Sequence, residues 1–171
     1  MAQPRRPRSE AGAGADLLVV DPVQHAGELA RFPEKVVRGP GERCWIWVGA
    51  IADDGYGRFW VGRDGGPDVV RAHRYALAAY GGAPVPAGAI AMHECDNPLC
   101  VRVDGKHVRA GTQTENLRHM ARQGRGRYWL WAGLSPAERA ARSRRVRDAV
   151  RDGWDDEAYA AAWVGDTPTL F

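Results

Sequence analysis

Only three cysteines occur in this chain, and two of them fall in one spaced run with histidine, His93-x-Cys95-x4-Cys100-x6-His107, followed after eight intervening residues by Asn116. The third, Cys44, stands alone upstream. Cys44, Cys95, Cys100 and His107 make a complete Cys3His set, the donor composition of a structural zinc site in which protein groups fill all four tetrahedral positions. This constrains the fold because it obliges an N-terminal strand, a short loop and a returning strand to converge on one point. His93 and Asn116 lie outside the set and remain available for chemistry.

Three thiols cannot all pair within one chain, and no apolar stretch at the N-terminus has the form of a secretory signal. Nor does any apolar run reach the length that spans a bilayer. A reducing, cytoplasmic setting is therefore expected, where clustered cysteines bind metal rather than each other. The formal charge of +3 conceals an uneven distribution: Arg118 to Arg151 is dominated by arginine and Asp152 to Asp166 is acidic. Concentrated arginine points to phosphate, hence to nucleic acid.

Three zones are expected. Residues 1–43 read as a basic, largely disordered leader with one short helix between Pro22 and Phe32. Residues 44–125 carry the constellation. Within them Cys44–Gly49 and Tyr56–Val61 read as the strands of an N-terminal β-hairpin turned at Asp54-Gly55. Asp68–Ala72 adds a strand, and His73–Tyr80 a helix stopped by Gly81-Gly82. Ala89–His93 and Lys106–Ala110 flank the cysteine loop, and Thr112 with Glu115 caps a helix to about Gln123. Residues 126–171 form a basic helical extension with an acidic tail. Its first helix is announced by Ser135-Pro136-Ala137-Glu138 and its second covers Asp155–Trp163.

At this point His93-Glu94-Cys95-Asp96-Asn97-Pro98-Leu99-Cys100, His107, and Gly111-Thr112-Gln113-Thr114-Glu115-Asn116-Leu117-Arg118 resemble the HNH endonuclease family. The likeness is to its zinc-containing phage and homing-type branch, related to the His-Cys box nucleases. Cys44-Trp45-Ile46-Trp47-Val48-Gly49, Gly55-Tyr56-Gly57-Arg58-Phe59 and Arg71-Ala72-His73-Arg74 resemble that branch too. The resemblance implies an α+β fold with a ββα-metal (His-Me finger) core, stapled by structural zinc. It also implies metal-dependent hydrolysis of DNA, leaving 5′-phosphate and 3′-hydroxyl ends, in a homing, phage or restriction setting.

By the same resemblance His93 is the general base, since a neutral imidazole can take a proton from water near physiological pH. Asn116 supplies an oxygen to one catalytic Mg²⁺ or Mn²⁺. Many relatives place an aspartate before the histidine as a second ligand, where this chain has Met92. Arg71 is the expected phosphate-binding arginine, in competition with Arg58 and Arg74, whereas His73 and His119 are expected to be packing or surface residues rather than catalytic ones.

DNA contact is further expected from Arg122, Arg125, Arg127, Arg144, Arg147 and Arg151, the last three sharing one side of a helix. A palindromic target would require a homodimer. The terminal Leu170-Phe171 resembles the end of sliding-clamp-binding peptides without their leading glutamine. The competing reading is a zinc-stabilised DNA-binding protein without catalysis.

Overall fold

The computed structural model describes residues 17–63, 66–86, 88–122 and 134–164, the side chains of residues 66 and 67 apart. Arg125, Arg127 and the terminal Leu170-Phe171 lie outside the described residues. The described chain is mixed α and β, with three separate two-stranded antiparallel ladders rather than one N-terminal sheet.

The first ladder corrects the expected hairpin. β2 (Trp45–Trp47) pairs not with the strand that follows it but with β1 (Val36–Arg38), in the register Val37 to Ile46. Its other edge is taken by the cysteine loop, where Trp47 N–H donates to Leu99 O and Val101 N–H to Trp45 O. With both edges occupied, β2 has no place for Tyr56–Val61. That segment, as β3 (Arg58–Arg63), forms its own hairpin with β4 (Gly66–Arg71). Burial in β3 alternates, with Phe59 and Val61 inward and Arg58 and Trp60 outward, the two-residue period of a strand with one covered face.

Residues 17–43 are likewise structured rather than leader-like. α1 (Ala26–Arg31) and the 3₁₀ turn Pro33–Lys35 lead into β1. Phe32, between them, is buried against Trp47, Phe59 and Tyr75 with ring centroids 4.8–5.1 Å apart. This aromatic group is the centre of the core. Tyr75 arrives from α2 (Ala72–Tyr80), which ends at Gly81-Gly82, with Gly82 at φ +77°.

β5 (Ile90–His93) and β6 (Val108–Gly111) pair in the register His93 to Val108 and bracket the cysteine loop. α3 (Gln113–Arg122) follows at once. Its expected cap is present: Glu115 N–H donates to Thr112 Oγ1, and Thr112 N–H to the Glu115 carboxylate. α4 (Pro136–Val150) starts with the same device at Ser135 and Glu138. It buries Ala140, Ser143, Val146 and Val150, a three- to four-residue spacing that lays one stripe on the core beside β2. α5 (Asp156–Val164) folds back along α4, and no described helix is long and apolar enough to cross a membrane.

Because Phe32 has aromatic neighbours on three other elements, Phe32→Ala should cost about 3–5 kcal/mol of stability. Denaturant titration followed by tryptophan fluorescence checks this; a leader dispensable to the fold would show no change in midpoint.

Candidate functional site

Cys44 immediately precedes β2, whose antiparallel bridge from Ile46 to Cys100 sets the cysteine loop beside it. Cys95 sits in the turn just past β5, where Asp96 adopts φ +58°. The turn therefore sets the position of Cys95 relative to His93. His107 leads into β6, and its carbonyl accepts from Glu94 N–H at 2.7 Å. The result is one cluster: Cys44, Cys95, Cys100 and His107 each offer a ligand atom, all within 4.8 Å of one another.

A tetrahedral zinc with bonds of about 2.3 Å to sulfur and 2.0–2.1 Å to nitrogen holds those atoms roughly 3.5 Å apart. His107 Nδ1 lies 3.6 Å from Cys44 Sγ and 3.5 Å from Cys100 Sγ. Its other nitrogen, Nε2, is 3.0 Å from Glu42 O. A carbonyl only accepts, so Nε2 carries the proton and Nδ1 turns its lone pair toward the sulfurs. The cluster thus fits a metal ion such as zinc in both spacing and tautomer.

The sulfurs repeat the point electrostatically. Hydrogen bonds from Cys100 and Cys95 hold the Cys44 thiol down to about 4. Hydrogen bonds with Cys44 and Cys95 in turn push the Cys100 thiol far above its ordinary value. Crowded thiols cannot all ionise beside one another, and a bound cation removes that conflict. Tyr159 of α5 adds an outer contact: its hydroxyl accepts from Asn97 Nδ2 at 3.1 Å and also hydrogen-bonds Cys44.

Beside this cluster opens a cavity of about 400 Å³ that contains both His93 and Asn116. His93, the last residue of β5, is half-buried, and its Nε2 lies 3.0 Å from Cys100 O. The carbonyl again assigns the proton to Nε2 and leaves the lone pair on Nδ1. Burial lowers the His93 pKa, opposed by the nearby Cys95. Asn116 comes from the first turn of α3. Among the described residues its Oδ1 accepts no hydrogen bond, and its Nδ2 makes only a long contact to Met120 Sδ at 3.9 Å.

Arg71 also lines the cavity, yet both its terminal nitrogens donate to the Asp54 carboxylate at 2.6 Å. This pairing holds Asp54 below the usual carboxylate range. Arg74 is directed elsewhere, donating to Ala89 O at 2.7 Å, and Arg58 is exposed on β3. Arg122 and Arg144 are exposed, while Arg147 and Arg151 both lie against Asp148.

Of the packing and surface positions open to them, His73 and His119 both take buried ones, and each also borders the cavity. The His73 ring stands 4.5 Å from that of His93, its Nδ1 has no hydrogen-bond partner, and burial drives its pKa well down. His119 is bracketed by Glu94 at 3.1 Å and Asp96 at 3.3 Å. Tyr56, Arg139 and Arg142 also line the wall; from sequence Tyr56 enters only through the family resemblance and the two arginines only as part of the basic zone. The buried stripe of α4, had it been assigned, would have placed both arginines on one flank.

Purified protein should carry about one zinc per chain by elemental analysis, and Cys95→Ser or Cys100→Ser should lose the metal and the cooperative unfolding transition together. Metal-free protein with an unchanged transition would remove the cluster from any structural role.

No family model matches the chain, and no solved structure matches it. The chain is similar to Protein 7.7 of Escherichia phage T7, 40% identical over 85 residues that make up 49% of this chain and 59% of that protein. It is also similar to Protein 2.8 of the same phage, 39% identical over 82 residues, 48% of this chain and 52% of that one. The chain thus spans little more than half the length of the curated relatives it matches.

Proposed function

We propose that this protein is a metal-dependent DNA endonuclease of the HNH type, built on a ββα-metal core and stapled by structural zinc. The observation that carries the reading is the meeting of His93 and Asn116 in one cavity, with the His93 proton held on Nε2 by the Cys100 carbonyl. The order β5, cysteine loop, β6, α3 supports it, since each element delivers one part of that arrangement.

In this mechanism His93 Nδ1 accepts a proton from a water molecule as its oxygen attacks the scissile phosphorus. The phosphorus–oxygen bond to the 3′ carbon breaks, and the departing oxygen takes up a proton from solvent. The ends are then 5′-phosphate and 3′-hydroxyl. A Mg²⁺ or Mn²⁺ held through Asn116 Oδ1 would supply positive charge to the phosphate and the leaving oxygen. Partial burial favours the neutral imidazole, the form that can accept a proton. Met92 borders the cavity but offers a thioether rather than a carboxylate, so substrate oxygens and waters would complete the cation's shell. The similarity to two phage proteins agrees with a phage-borne setting.

Digestion of supercoiled plasmid with Mg²⁺ or Mn²⁺ tests the proposal. Wild type should nick or linearise the DNA, and His93→Ala should slow this by about 10²–10⁴-fold with zinc content and fold retained. Uncut plasmid with both proteins would leave the non-catalytic DNA-binding reading in its place.

A further inference from the structure

The β3–β4 hairpin reaches the cavity wall through Arg71, and its register fixes which other residues share the face of that arginine. Phe59 and Val61 are buried, and their cross-strand partners are Val70 and Asp68. The opposite face therefore carries Arg58, Trp60 and Gly62 from β3, with Val69 and Arg71 from β4. Arg58 lies directly across from Arg71, so this face is continuous with the cavity wall. Each two-residue step along β3 carries it about 7 Å further out.

Trp60 is 56% exposed, and among the described residues Tyr80 is the one other aromatic more than half exposed. Arg58 is exposed on the same face, and among the described residues its guanidinium makes no hydrogen bond and has no carboxylate within 4.0 Å. Asp68, the one acid in the two strands, belongs to the other face and accepts from Val69 N–H at 2.7 Å. The edge of β3 turned away from β4 is fastened by α1. Arg31 Nη2 donates to Trp60 O at 2.9 Å, and Glu28 Oε1 accepts from Gly62 N–H at 3.1 Å. The backbone beneath Trp60 is thus fixed while its ring is uncovered. A Cβ at Gly62 would meet nothing within 4 Å, so the face stays open beyond the indole.

We propose that Arg58 and Trp60 receive the DNA strand where it leaves the cavity, Arg58 holding a backbone phosphate and Trp60 stacking on an unpaired base. A guanidinium without a carboxylate partner keeps its charge for phosphate oxygens, and an exposed indole offers its flat face to any base. The step from Arg58 to Trp60 equals about two nucleotides of strand rise, which puts the stacked base close to the bond that is cut. The inference rests on the nuclease reading for what happens in the cavity, but its binding part stands separately.

The test uses full-length protein carrying His93→Ala, so that cleavage cannot interfere. Its ligand is a labelled forked DNA, duplex at one end and two unpaired strands at the other, followed by fluorescence anisotropy across a salt series. Adding Trp60→Ala should weaken binding about tenfold with the log–log salt slope unchanged, because a ring and no charge is lost. Trp60→Phe should recover most of that loss. Adding Arg58→Gln instead should weaken binding and lower the slope by about 1. Tyr80→Ala, which removes the other exposed aromatic, should do markedly less. Parental affinity in both the Trp60→Ala and Arg58→Gln proteins, with zinc content and far-ultraviolet dichroism intact, overturns the proposal, as does a parent that does not bind the fork. If Trp60→Ala fails to fold, the readout becomes tryptophan emission. Saturating DNA should quench the parent more than the Trp60→Phe protein, and equal quenching again overturns the stacking. Wild type that leaves plasmid uncut while these shifts are seen removes the hydrolase and keeps the surface; cleavage without the shifts does the reverse.

Discussion

The convergence of Cys44, Cys95, Cys100 and His107 within 4.8 Å is the constraint on which the remaining architecture rests. It ties the start of β2, the turn after β5, the loop and the approach to β6 into one unit. That loop brings only Leu99 and Val101 into the core, alongside Cys100, so its apolar burial alone is modest. A metal held by these four groups would supply what the small core does not. The loop also docks through backbone bonds to both ends of β2, which is why β2 cannot pair with β3.

One residue joins the scaffold to the cavity. Cys100 offers its sulfur to the cluster and its carbonyl oxygen to His93 Nε2. The imidazole tautomer in the cavity is therefore set by the backbone of a ligand residue, in the same way that Glu42 sets the tautomer of His107. Anything that loosens the loop alters the orientation of His93 as well. The C-terminal helices share this dependence, because Tyr159 reaches both Asn97 and Cys44 while Val146 and Val150 enter the main core.

Charge in the cavity follows pairing rather than composition. The net formal charge is only +3, and local neutralisation decides where it acts. Arg71 is matched by Asp54, Arg63 by Glu28, and Arg109 by Glu94. Arg147 and Arg151 share Asp148. Counting arginines along α4 therefore overstates the face that carries Arg147 and Arg151. It understates the flank that carries Arg139, whose guanidinium meets only backbone oxygens among the described residues.

What could be read from the chain was whatever local chemistry specifies. Thiol and imidazole identity named the four cluster residues, because few donor sets suit a tetrahedral ion. Capping boxes at Thr112 and Ser135 marked two helix starts, and Gly81-Gly82 a helix end, since these motifs satisfy backbone groups with side chains or backbone a few residues away. Partners distant in sequence were not legible. Nothing near Trp45–Trp47 announces that Val36–Arg38 and Leu99–Val101 flank it, nor that Asp54 faces Arg71. Ladder partners, ion pairs and the side of α4 that meets the cavity depend on how preformed elements share one core, and that competition exists only once the chain has closed on itself.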